Sequence, residues 1–152
     1  LLFLAAAERG FAIAEADTVG PTITITSPAI GAVLKNEKIV VAGTSKDNKQ
    51  DPTPSAAGGT ANTVTLAGVK YVQYRFAGEK RWRQAILIPG TATTTTTGTG
   101  ATAVTTTTTG DPTWVFQFKS RRGQSQRVSI RGIDNNGNEG DIITINLKRS
   151  RA

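Results

Sequence analysis

From Thr22 onward the chain alternates apolar and polar residues in short bursts, each closed by turn-forming residues. "TITITS" (22–27) sets Ile23 and Ile25 on one side and threonines on the other, and stops at Pro28. "KIVVAGTS" (38–45) follows, then "KDNKQDPTPSAAGGTANT" (46–63), a polar Gly/Pro/Asn-rich loop without core-forming residues. "VKYVQYRF" (69–76) places Val72, Tyr74 and Phe76 on one face and Tyr71, Gln73 and Arg75 on the other. A turn at 77–80 returns the chain through "RWRQAILI" (81–88). "TWVFQFK" (113–119) points Trp114, Phe116 and Phe118 inward, and "QRVSIRGI" (126–133) and "DIITINLK" (141–148) flank the turn "DNNGNEG". A period of two marks half-buried strands, and about seven short strands with turn chemistry between them predict an all-β antiparallel sandwich over 21–152.

Two segments break that pattern. Residues 91–110 hold two blocks of five threonines around a glycine-containing bend. Threonine is β-branched and favours extended backbone, so the insertion 89–112 reads as a hairpin projecting from the sandwich or lengthening one sheet. So polar a hairpin builds no core. Thr93, Thr95, Thr97, Thr105, Thr107 and Thr109 are its candidates for O-glycosylation or for contact with another subunit, with an inert linker as the bland reading. A water-ordering threonine array is the remote alternative.

The second segment is the opening 1–20, "LLFLAAAERGFAIAEADTVG", too short to span a bilayer. Its apolar residues Leu1, Leu2, Phe3, Leu4, Phe11 and Ile13 would make a subunit interface if they lie in a groove of a neighbouring copy, as strand or helix. Folding back on its own domain, or being the tail of an export signal ending at "AIA" (12–14), are the competing readings.

Composition narrows the chemistry. Among the 152 residues there is no cysteine, so no disulfide or thiolate, and no histidine, the commonest general base and zinc ligand. Hydrolases of the Ser-His-Asp or Cys-His kind are excluded in their usual form. The missing methionine, position 1 included, fits a processed export product or part of a longer one. The net charge of +7 is uneven, −1 over residues 1–68 and +8 over 69–152. Such a basic half suits an acidic glycan or an anionic cell surface, or is a solvated face; no nucleic-acid motif accompanies it. Within it, "KSRRGQSQR" (119–127) offers Arg121, Arg122 and Arg127 for anion binding.

Asp134, Asn136 and Asn138 have the D-x-N-x-N spacing that opens a calcium loop. Glu139 stands where the loop glycine belongs and Ile145 where the closing glutamate belongs, so a plain hairpin turn is the simpler reading and no metal is expected. In that turn Asn136-Gly137 supplies left-handed geometry, Asp134 can bond backbone amides ahead of it, and Arg131 can pair with Asp134 or Asp141. Trp82 and Trp114 could stack on sugars, but their alternating placement marks them as core or core-edge.

The pieces "VQYRF" with Trp82 after the turn, "TWVFQF" and "RGIDNNGN", with "PTITITSPAIGAVL" and "VVAGTSKDN" before them, resemble bacterial immunoglobulin-like domains of surface and secreted proteins. The resemblance spans about 21–147 and implies an immunoglobulin-like sandwich used for adhesion, spacing or assembly. The arm, the 46–68 loop and the threonine insertion are departures from the ordinary module. Acid–base and nucleophile constellations are lacking, so an enzyme and a cofactor are not expected. The expectation is a secreted or surface-exposed structural subunit that polymerises with itself through its N-terminal arm. The alternative is a carbohydrate- or surface-binding adhesion module.

Overall fold

The computed structural model describes residues 17–47 and 68–151, and within them the protein is all-β, built of several antiparallel sheets without an α-helix. The strands are β1 (Thr22–Ser27), β2 (Val33–Leu34), β3 (Lys38–Lys46), β4 (Val69–Phe76), β5 (Arg83–Gln84), β6 (Ile86–Ile88), β7 (Ala92–Thr97), β8 (Val104–Thr109), β9 (Thr113–Lys119), β10 (Ser125–Asp134) and β11 (Ile143–Arg149). A four-stranded sheet has the order β1-β3-β9-β6, a five-stranded sheet the order β2-β11-β10-β4-β5, and β7 pairs only with β8. All pairings are antiparallel except that of β2 with β11.

The apolar alternation becomes the core. Ile39 and Val41 of β3 and Trp114 and Phe116 of β9 are buried on one sheet; Val72 and Tyr74 of β4, Val128 and Ile130 of β10, and Ile145 and Leu147 of β11 are buried on the other. The two inner faces meet through aromatic rings. Tyr74 stacks on Phe116 with centroids 3.8 Å apart, and Phe76 meets Phe118 edge to face at 4.9 Å.

Trp114 is the largest fully buried side chain, and its indole N–H donates to the Thr44 carbonyl at 3.0 Å. It fits because residue 43, directly across from it in the register, is glycine. A Cβ there would lie 1.9 Å from the Thr24 carbonyl oxygen and 2.4 Å from the Trp114 ring.

Eleven segments stand where periodicity predicts about seven strands. Two of the extra ones are the threonine hairpin, and β2 is a two-residue parallel pairing too short to leave a periodic signal. The fourth comes from "RWRQAILI", which is not one strand. Its Arg83–Gln84 pairs with β4 in the five-stranded sheet and its Ile86–Ile88 with β9 in the other, so the chain changes sheets at Ala85. The Ala85 N–H still donates to the Val72 carbonyl at 2.8 Å, which fixes the crossing point.

Residues 17–20, the end of the expected arm, belong to the folded part. Asn138 donates its side-chain amide to the Asp17 carbonyl at 2.7 Å, and Gly20 and Pro21 are buried. Leu1, Leu2, Phe3, Leu4, Phe11 and Ile13 lie outside the described residues, as does most of the 46–68 loop. Among the described residues no helix is long and apolar enough to cross a membrane.

Candidate functional site

Three features stand apart from the apolar core: a threonine ribbon, a carboxylate cluster, and a basic sheet face.

Among the described residues the ribbon is formed by β7 and β8 alone. Ala92 pairs with Thr109, Thr93 with Thr108, and so on to Thr97 with Val104. The bend between them carries a short 3-10 turn over Gly100–Thr102, with Gly98 and Gly100 at positive φ. An odd-numbered residue here always pairs with an even-numbered one. Thr93, Thr95 and Thr97 therefore pair with Thr108, Thr106 and Val104, whereas Thr105, Thr107 and Thr109 pair with Thr96, Thr94 and Ala92. The register thus divides the six threonines singled out in the sequence into two sets by the strand partners they meet. The Thr96 and Thr105 hydroxyls, 3.1 Å apart, show one such pairing directly.

The Gly110 N–H donates to the Thr91 carbonyl at 2.9 Å, in the same register. In an antiparallel ladder this makes every second pair doubly bonded and turns the backbone groups of the pairs between outward. Thr96 and Thr105 stand at such outward positions. Among the described residues neither edge of the ribbon is paired with a further strand, and between Thr91 and Gly110 it carries no charge and no proline.

The carboxylate cluster lies where three ends converge: Asp17 ahead of β1, Asp47 after β3 and Asp134 closing β10, with carboxylate oxygens within 4.8 Å of one another. Asp134 is completely buried. Its oxygens accept the Asn138 backbone N–H and side-chain amide, each at 2.8 Å. The Gly68 N–H donates to Asp47 at 2.5 Å and the Val19 N–H to Asp17 at 3.1 Å. The second oxygen of Asp17 is buried without a hydrogen-bond partner. Oxygen donors of this kind suit a hard divalent cation in type, though one oxygen from each of three carboxylates falls short of the roughly six to eight that calcium takes.

The D-x-N-x-N reading of this turn changes accordingly. Asn136 is exposed, Asn138 donates its side-chain amide N–H groups to Asp134 and to the Asp17 carbonyl, and the carboxylates that gather round Asp134 are those of Asp17 and Asp47. Asp17 and Asp47 escaped sequence reasoning because they are 30 and 117 residues from the positions they meet, counted from Asp17. Gly137 takes a φ of 90°, the left-handed geometry that the Asn-Gly pair signals. Replacing Asp134 by alanine would take the acceptor from the half-buried Asn138 backbone N–H and from one of the two bonds its side-chain amide makes. We expect a loss of about 2–3 kcal/mol in urea unfolding.

On the basic half, Arg121 and Arg122 are exposed in the β9–β10 turn, and Arg127 is exposed on β10 itself. Arg131 pairs with neither Asp134 nor Asp141. Its Nη1 meets Glu139 at 2.7 Å and its Nε donates to Gln73 at 3.1 Å, because strand alternation turns Arg131 outward while Asp134 turns in. Trp82 is likewise not in the core with Trp114; it is half-buried, with the Arg75 and Arg131 guanidiniums 4.4 and 4.2 Å from its ring centroid. No protein-family model matches this chain, and no curated protein is similar to it at a significant level.

Proposed function

We propose that the chain is a non-enzymatic structural subunit of an extracellular filament or surface appendage, and that its two larger sheets form a bacterial immunoglobulin-like sandwich. The observation that carries this reading is the ribbon, an uncharged two-stranded sheet whose edges no other described strand covers, on an otherwise basic molecule. Open edges pair with other chains unless charge, proline or a covering element prevents it. Copies bearing +7 repel one another, and the neutral ribbon is where their approach costs least.

Ribbon pairing alone is marginal. A fully paired six-residue edge gains about 6 kcal/mol at roughly 1 kcal/mol per hydrogen bond, against an association cost of about 4–15 kcal/mol. A second contact is needed, and the apolar residues of 1–14 are the proposed source. Ile86 and Ile88, 67% and 50% exposed on the edge strand β6, offer apolar surface to receive them from a neighbour. Two weak contacts held on one molecule reinforce each other through effective concentration.

The reading of a secreted or cell-surface location follows from the same use. Deletion of Leu1–Ala14 is expected to give a folded monomer by sedimentation velocity, while the intact chain forms filaments visible in electron micrographs. An intact chain that stays monomeric up to high concentration, or a truncation that assembles unimpaired, defeats the proposal.

A further inference from the structure

The outward face of the five-stranded sheet carries its cations in a row. The register sets Ser125 opposite Lys148, Arg127 opposite Asn146, and Ser129 opposite Arg75. Lys148 and Arg127 are therefore diagonal neighbours across β11 and β10, and Arg127 and Arg75 across β10 and β4, at steps of about 7–8 Å. Alternation turns all three outward, since Leu147, Val128 and Tyr74 beside them are buried. Contacts on the same face confirm the registry: the Ser129 and Thr144 hydroxyls are 3.2 Å apart, and Arg131 bonds Gln73.

Arg131 is neutralised by Glu139 and its side chain is only 15% exposed. Arg75, Arg127 and Lys148 enter none of the ion pairs found among the described residues. Trp82 lies against both Arg75 and Arg131 and holds the Arg75 guanidinium in place, which lowers the ordering cost of binding through it.

The geometry points to this face as the binding site for an extended acidic polysaccharide, a polyuronate, independently of ribbon-mediated assembly. Cations spaced along a diagonal cannot converge on one anion, but they can meet successive carboxylates of a linear polymer. Two of the three are arginines, whose planar fork pairs bidentately with a carboxylate. Single-stranded nucleic acid fits less well, because successive bases stack on successive aromatic side chains, and here Trp82 is already engaged by two guanidiniums and Tyr71 by the Lys70 ammonium. A flat sheet face also does not enter a duplex groove as a helix or two-stranded ribbon does.

The test is calorimetric titration of the full chain with a soluble polyuronate, beside single-stranded DNA and anionic phospholipid vesicles. Three double variants remove the same two charges: R75Q/R127Q on the face, R121Q/R122Q in the turn, and K38Q/K119Q paired across the other sheet. R75Q/R127Q is expected to weaken polyuronate binding at least about tenfold, and K38Q/K119Q by no more than about twofold, with R121Q/R122Q closer to the latter. Should R75Q/R127Q not fold, R127Q/K148Q, at two exposed positions, replaces it. Absence of polyuronate binding, an equal loss in all three variants, or tighter binding of DNA or vesicles overturns the assignment.

Discussion

The Thr93→Lys/Thr95→Lys double variant is expected to remain a folded monomer at concentrations where the parent chain assembles. Both positions are exposed on β7, in a sheet that shares no strand with the two that form the core. Surface changes of this kind normally move stability by no more than about 0.5 kcal/mol, so the unfolding midpoint should hold. Assembly should not. The ribbon offers uncharged edges, and lysine on an edge is the device by which natural sheets refuse further strands. Two copies pairing edge to edge would bring like charges together at several kcal/mol, and a weakening of about a hundredfold, near 3 kcal/mol, is anticipated. Sedimentation velocity across a concentration series reads this directly. Glutamine at the same two positions is the control, since it adds length and polarity without charge and should leave assembly nearly intact.

The Trp114→Ala variant should suffer the largest loss of stability in the molecule. Its indole is wedged over Gly43, stacks toward Phe116 at 6.1 Å, and satisfies the Thr44 carbonyl. Truncation empties the largest buried volume between the sheets and costs about 4 kcal/mol. For a chain of this length that is a fall of roughly 12 °C in melting temperature. Trp114→Phe separates the contributions: it keeps an aromatic ring in the core and forfeits the indole N–H, at an expected cost of about 1–2 kcal/mol. If alanine cost no more than phenylalanine, the hydrogen bond rather than the packing would dominate.

The strands with strict alternation were legible because one buried face leaves a period-two signature. "VKYVQYRF" and "TWVFQFK" are strands along the lengths that pattern predicts. The hairpin was legible from the symmetry of its two threonine blocks around a glycine-rich bend. Its register was not, because a threonine opposite a threonine carries no information on which neighbour it meets. The crossing at Ala85 left no mark either, since a strand that changes sheets keeps an apolar run and loses only its continuity.

Convergence over distance was the least legible. Asp17, Asp47 and Asp134 meet only because the ends of three strands close together, and nothing local in "EADTV" or "SKDN" announces it. Trp82 misleads for the opposite reason. Its alternating placement reads as core or core-edge, yet the turn lays it, half-buried, across two outward arginines. The arginine turn at 121–122 drew attention as a run in the sequence, while the row of Arg75, Arg127 and Lys148 is assembled by strand register from three separate strands.

Hydrogen–deuterium exchange of the intact chain at low and high concentration examines the ribbon most directly. Assembly through its edges predicts that amides between Thr91 and Gly110 facing outward exchange freely in dilute solution and become protected as the chain associates. Unchanged exchange across that segment, in material shown by light scattering to have assembled, would place the contact elsewhere and contradict the account.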